Sequence, residues 1–329
     1  MGYKYVENRR NKMRKKVMFV LSLLIIFTVV LFSNNAFDDF DIQGHRGCRG
    51  LYPENTLAGF KYAMEEIGVD TLELDVGITK DMVLVVNHDT FLNPERTMKD
   101  GTFIAEKIYI KDLTATEIKE YSVGRLRNRF SFYKQKQLDD EKMPTLQEVV
   151  DLVKDFNSQS VKQVKLNVET KINVLEPDET YPAEDFVRLL LEIIEENNIE
   201  DIISIQSFYW KTIMDIKEKA PNIKTVALLS NARLKNLEWF NGLNPDNYDT
   251  FGDFIQASGA DCLSMNYRDI TKKQIQEVQA WGIEVIPYTI NDAPTMRYYL
   301  ELGVDGIISD YPDVLKSVAE AYFGSKGTE

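Results

Sequence analysis

Apolar positions along the chain fall into short β-prone runs separated by amphipathic stretches. From residue 40 onward the runs are FDIQG (40–44), TLELDV (71–76), VKLNVE (164–169), IISIQS (202–207), KTVALLS (224–230), CLSM (262–265), EVIPYT (284–289) and GIISD (306–310). Between them lie stretches such as EDFVRLLLEIIEE (184–196), KKQIQEVQAW (272–281) and APTMRYYLELG (293–303), whose apolar residues recur every three or four positions, a helical period. Strands alternating with helices predict an α/β fold with a parallel sheet. Eight such units in this length suit a closed (β/α)8 TIM barrel. A doubly wound open sheet is the alternative, but no GxGxxG turn follows the first strand.

One run is left over. VLVVNHD (83–89) follows TLELDV with only GITKDM (77–82) between, whereas a parallel crossover needs about a dozen residues. An antiparallel hairpin after strand two is therefore expected. With its turn at Lys80-Asp81, Glu73 faces His88, and opposed residues share a side of the hairpin. Residues 90–143 then interrupt the rhythm as an insertion too long for an ordinary loop, and such segments are usually lids, binding elements or linkers. Inside it RLRNRFSFYKQK (125–136) is basic and aromatic. It reads either as a solvated helix or loop, or as a cap over the site that meets a phosphate or a membrane surface.

The N-terminus has a different pattern. VMFVLSLLIIFTVVLF (17–32) contains only Ser22 and Thr28 as polar residues, and as a helix it spans about 24 Å against a bilayer core of about 30 Å. Ser33 to Phe37 can extend it. One N-terminal hydrophobic helix is expected over 17–37, as a transmembrane anchor or a signal peptide. Residues 1–16 hold seven Lys/Arg against Glu7, which places them in the cytoplasm and the body, 38–329, outside it. The body is secreted if the segment is cleaved. Cleavage after Asn34-Asn35-Ala36 would put Asn where a small residue is wanted, so a retained anchor is favoured over a signal peptide and over a buried core helix.

Composition is ordinary for a globular protein, at 44% apolar and 28% charged. The net charge of −13 is carried entirely by the body, because the first 16 residues are basic. An acidic body argues against nucleic acid as partner and suits a metal cation. Two cysteines, Cys48 and Cys262, cannot build a disulfide framework.

In a barrel of this kind functional groups gather where the strands end. His45 and Arg46 follow strand one, Glu73 and Asp75 lie on strand two, and His88 and Asp89 end the hairpin. Glu169 and Lys171 end strand three, and Gln206 and Ser207 end strand four. Glu73 and Asp75, two apart, share a side of their strand. Three carboxylates converging in one mouth repel unless protonated or bound to a cation. Oxygen ligands alone point to a hard divalent ion, Mg2+ or Ca2+. Both histidines of the chain fall here, and a pair can divide general base and general acid work at phosphorus, with Arg46 and Lys171 on the phosphate oxygens. Taken singly, each residue is as well explained by structural hydrogen bonds or salt bridges; the joint placement carries the argument.

The motifs GHRG (44–47), PENT (53–56), ELDV (73–76), HD (88–89), PTL (144–146), ETK (169–171), QSF (206–208) and GVDGIISDYP (303–312) resemble, in order and spacing, the glycerophosphodiester phosphodiesterases. The resemblance covers roughly residues 40–322. It implies a TIM-barrel hydrolase that converts glycerophosphodiesters to sn-glycerol 3-phosphate and an alcohol. It further implies His45 and His88 as the acid-base pair, Glu73, Asp75 and Glu169 as ligands of one divalent cation, and Arg46 and Lys171 as phosphate contacts. The substrate's own glycerol 2-hydroxyl would attack phosphorus to give a cyclic phosphate. Phe208 and Tyr288, with Trp210 or Tyr267, are candidates for a leaving-group pocket, including one for a quaternary ammonium. Tyr288 stands where the family often has Trp. Cys48 stands where a small residue is usual and is expected to behave as one, with redox sensitivity from its place at the mouth as the alternative. Pro53-Glu54-Asn55 reads as a helix start, with Glu54 also able to orient Arg46, and Asp310 before Pro312 reads as a helix cap. A lysophospholipase D-like activity on lysophospholipids, a phosphatidylinositol-specific phospholipase C and a non-catalytic barrel are the alternatives.

Overall fold

The computed structural model describes Phe37 and residues 39–326. The helix expected over 17–37 therefore lies outside the described residues, save Phe37. Among the described residues, no helix is long and apolar enough to cross a membrane.

Residues 41–326 form one compact unit. Its strands are β1 (Asp41–Gly44), β2 (Thr71–Ile78), β3 (Lys165–Thr170), β4 (Ile203–Ser207), β5 (Lys224–Leu229), β6 (Cys262–Met265), β7 (Glu284–Val285) and β8 (Gly306–Ser309). They hydrogen-bond in the order β7-β6-β5-β4-β3-β2-β1-β8, all parallel. Between β7 and β8 the circle is completed by backbone bonds outside any regular ladder: Asp305 N–H to the Val285 carbonyl (3.0 Å), Ile308 N–H to that of Pro287 (3.1 Å) and Ile290 N–H to that of Ile308 (3.1 Å). This nearly closed parallel barrel is the expected fold class. The expected helices are present as Ala183–Asn197, Lys272–Gln279 and Ala293–Leu302. Helix Leu146–Gln159 starts at a reciprocal cap between Thr145 and Glu148.

The barrel interior is divided. Val226, Cys262, Ile286 and Ile308 fill one side with apolar side chains. On the other, Gln43, Glu73, Asp75, Asn167, Glu169 and Gln206 are all buried. Buried polar groups need partners, and here they find one another: Asn167 Nδ2 donates to Gln43 and Gln206, and Gln206 Nε2 donates to Glu73 at 2.7 Å.

The hairpin forms, with a correction of register. Val76 faces Val86, Gly77 faces Val85 and Ile78 faces Leu84, one residue out of the expected pairing, so Glu73 does not face His88. The cause is the turn. Thr79 N–H bonds the Val83 carbonyl, closing a three-residue loop in which Met82 takes a left-handed φ of 62°, a known hairpin geometry. The ladder stops at Val86, so the slip does not turn His88 away from the mouth.

The insertion is ordered and has its own core. Leu92, Ile110, Ile118 and Tyr121 pack with Val85 of the hairpin and with Met143. Its basic stretch 125–136 lies against the loop that follows His45. Gln135 Nε2 donates to the Arg49 carbonyl at 2.8 Å, Lys136 N–H bonds that of Leu51, and the Arg49 guanidinium stacks on Phe132. None of these basic-stretch residues lines the central cavity, so the cap over the site is corrected to a buttress at its rim.

Candidate active site

The sequence folds a tight crossing directly after β1. A Cβ at Gly44 would lie 2.0 Å from the Gly47 carbonyl oxygen, so only glycine permits that approach. Arg46 follows with a left-handed φ of 50°, an uncommon and strained state for a non-glycine residue. The conformation aims the Arg46 N–H at Glu73 Oε2, 2.9 Å away, while the Arg46 guanidinium reaches Glu54 (2.9 Å) and Asp75 (3.3 Å).

Parallel register gathers the carboxylates. Asp75 sits beside Glu169 and Glu73 beside Asn167 in the β2–β3 ladder. One oxygen from each of Glu73, Asp75 and Glu169 lies within 4.8 Å of the others. Burial, then repulsion from Asp75 and Glu169, holds Glu73 protonated well above the usual carboxylate range. Burial pushes Glu169 up to about 7, against Lys171. Burial would raise Asp75 as well, but Lys171 and Arg46 outweigh it and hold Asp75 well below its usual value. Lys171 Nζ is 2.6 Å from Glu169 and 3.3 Å from Asp75. Three buried carboxylates with oxygen donors only fit a hard divalent cation.

Both histidines are clamped by carboxylates. His45 Nδ1 lies 2.6 Å from Asp310 Oδ1, and Asp310 is fixed by Asn291 through its other oxygen (2.7 Å) and its backbone N–H (2.9 Å). Since the Asp310 carboxylate can only accept, Nδ1 carries the proton and Nε2 holds the lone pair, 4.0 Å from Glu73. His88 Nδ1 lies 3.0 Å from Asp89, which Asn93 and Arg96 hold in turn. Burial, then Lys171 and Arg46, lowers His88 to about 4. Burial also lowers His45, with Asp310 opposing it.

His45, Arg46, Glu73, His88, Glu169, Lys171, Phe208 and Tyr288 all line one cavity of about 260 Å³, and Asp75, outside that lining, pairs with Lys171 at 3.3 Å. Phe208 and Tyr288 meet edge to face, ring centres 6.2 Å apart. Trp210 and Tyr267 do not join them. Trp210 is fully buried, its indole N–H on the Leu228 carbonyl, and Tyr267 lines a neighbouring hollow that shares Tyr288 and Thr289 with the cavity. Glu54 is not in a helix; it pairs with Arg46, Arg49 and Arg96, and the helix begins at Leu57 behind the Thr56 cap. Cys48 is buried with its thiol on the Gly59 carbonyl, and burial pushes its pKa up. It is thus a small core residue without redox exposure. Both cysteines are free.

Several supporting residues escape sequence reasoning. Asp310 looks like a helix cap yet holds His45. Asn55, left-handed at φ 56°, donates to Asp75 at 2.9 Å. Gln206, placed at the mouth by the sequence but without a role, donates to Glu73. The readable signal was polar residues at inward positions of buried strands, where apolar runs are the rule.

The sequence profile of the glycerophosphoryl diester phosphodiesterase family matches residues 45–314. A glycerophosphodiester phosphodiesterase of Caldanaerobacter subterraneus is 32% identical over 83% of this chain and 95% of its own length. A Silicibacter pomeroyi crystal structure assigned to the glycerophosphoryl diester phosphodiesterases superposes with a TM-score of 0.77 at 26% identity, covering 86% of this chain and 94% of that one. An Oleispira antarctica phosphodiesterase, solved in complex with its product sn-glycerol-3-phosphate, shares the fold with a TM-score of 0.66 at 21% identity, over 87% and 99% of the two chains.

Proposed function

Because the chain belongs to the glycerophosphoryl diester phosphodiesterase family, we propose that it hydrolyses glycerophosphodiesters to sn-glycerol 3-phosphate and an alcohol, with Mg2+ or Ca2+ held by Glu73, Asp75 and Glu169. The observation that carries this reading is that both histidines of the chain line the one cavity that Glu73, Glu169, Arg46 and Lys171 also line. Bound there, the cation supplies positive charge for the oxygens of phosphorus as the transition state forms.

Arg46 and Lys171 hold the diester's phosphate oxygens. Neutral His45, its Nδ1 proton on Asp310, presents the Nε2 lone pair and takes the proton of the substrate's glycerol 2-hydroxyl. That oxygen bonds to phosphorus, the bond to the leaving alcohol breaks, and His88 gives the alcohol its proton. A phosphate anion between Lys171 and Arg46 offsets the two charges that help to lower His88, which favours the protonated form this step needs. With the roles reversed, water opens the cyclic phosphate. No serine or cysteine nucleophile is required. We further assign the apolar stretch 17–37 as a membrane anchor with the catalytic body outside the cytoplasm, on the strength of its flanking charge.

Glycerol 3-phosphate release from glycerophosphocholine and glycerophosphoethanolamine tests the reaction: EDTA should abolish it and Mg2+ or Ca2+ restore it. His45→Ala and His88→Ala should each lower turnover about 100-fold or more with circular dichroism unchanged; wild-type rates in either would remove that histidine's role. Release confined to a lysophospholipid would move the substrate class to lipids.

A further inference from the structure

The Phe208 ring, expected to suit a quaternary ammonium, already has a cation stacked on it. Arg233, in the loop after β5, sets its guanidinium carbon 4.8 Å from the Phe208 ring centre and 3.6 Å from that of Trp239. Phe208 lines the cavity and Trp239 is buried. The other cationic side chains around the mouth are committed to carboxylates: Arg46 to Glu54 and Asp75, Arg49 to Glu54, Arg96 to Glu54 and Asp89, Lys171 to Glu169 and Asp75. Among the described residues, Arg233 has neither an ion pair nor a side-chain hydrogen bond, in a protein with 52 Asp/Glu against 39 Lys/Arg. Burial lowers its pKa, while Glu169 and Tyr288, both of which line the cavity, act on it in the opposite sense.

A guanidinium stacked on aromatic rings keeps its N–H edge free, and that edge matches a carboxylate or phosphate in two-point geometry. A quaternary ammonium, by contrast, needs an open aromatic face and no neighbouring cation. We propose that Arg233 forms a leaving-group subsite that selects diesters whose alcohol carries an anionic group, a carboxylate or a phosphate. This rests on the diester hydrolysis proposed above. A purely structural brace between two rings would instead leave rates indifferent to leaving-group charge.

The test uses the full-length protein with Mg2+ or Ca2+ and four esters of glycerol 3-phosphate, with ethanol, choline, 3-hydroxypropionate and 3-phosphooxypropanol as leaving alcohols. The expected result is a kcat/KM about tenfold higher for the two anionic esters than for the ethanol ester, expressed in KM, with choline lowest. Arg233→Met should bring the anionic-to-ethanol ratio towards one, and Arg233→Lys should retain part of it. Because a ratio is read, a general loss from imperfect folding cancels. A stronger response to carboxylate or to phosphate identifies which anion the subsite takes. Choline equal to or above the anionic esters in wild type, or an unchanged ratio in Arg233→Met, overturns the subsite while leaving the reaction standing. Hydrolysis of none of the four overturns both.

Discussion

His45 draws attention in the sequence because the chain has only two histidines; its partner Asp310 does not, because 265 residues separate them and an Asp before a proline-led helix looks like a cap. In the reaction proposed, the pairing makes Asp310 a positioning residue. Asp310→Asn keeps the size but can donate to Nδ1 and so stabilise the wrong tautomer, removing the lone pair from Nε2. Turnover should fall about 100-fold or more with KM little changed, and the falling limb of the rate profile at low pH should shift with it; an unaltered kcat would detach Asp310 from the chemistry. Glu54 makes a second residue-scale case. It is the shared acceptor of Arg46, Arg49 and Arg96, which hold it far below the usual carboxylate range against the cost of burial. Glu54→Gln leaves buried guanidinium charge short of a counter-ion, so urea denaturation should show a loss of about 3 kcal/mol or more.

At the scale of elements, all eight barrel strands were legible, since a run of β-prone residues followed by a helical period leaves little choice of topology. The hairpin register was not. It turned on whether Met82 would accept a left-handed φ, and nothing in the side-chain pattern marks a methionine for that state. The insertion was legible only as an interruption: its strands are two residues long, below what periodicity can resolve. Its core makes a prediction. Leu92 is fully buried among Ile110, Ile118 and Tyr121, and the same cluster takes in Val85 of the hairpin and Met143 ahead of helix Leu146–Gln159. Leu92→Ala should therefore destabilise the entire barrel by about 2–5 kcal/mol. Tryptophan fluorescence tests this cleanly, because Trp210, Trp239 and Trp281 all lie outside the insertion. A shifted midpoint with the same slope supports one cooperative unit, whereas an unmoved tryptophan transition would mean the insertion unfolds on its own.

For the molecule as a whole, the cation site proposed at the acidic trio would couple ion binding to folding and pH. Glu73 and Glu169 have folded-state pKa values above their unfolded ones, Glu169 at about 7, so without a cation the folded protein binds protons that the unfolded chain has released. Stability from both is fully present below the ordinary glutamate range; the Glu169 part is lost as pH rises through about 7, and the Glu73 part as pH rises through its own raised pKa. Asp75, held low by Lys171 and Arg46, stays ionised throughout that window and does not reverse the sign. A divalent cation needs all three groups as carboxylates, so it competes with those protons at acid pH and relieves their repulsion at neutral pH. Saturating Mg2+ or Ca2+ should then raise the melting temperature distinctly more at about pH 8 than at about pH 5.5. In Glu169→Gln the cation-induced rise at about pH 8 should shrink markedly. An equal rise at both pH values would show that the cation binds elsewhere on the acidic surface, where carboxylates are already ionised and no proton has to leave.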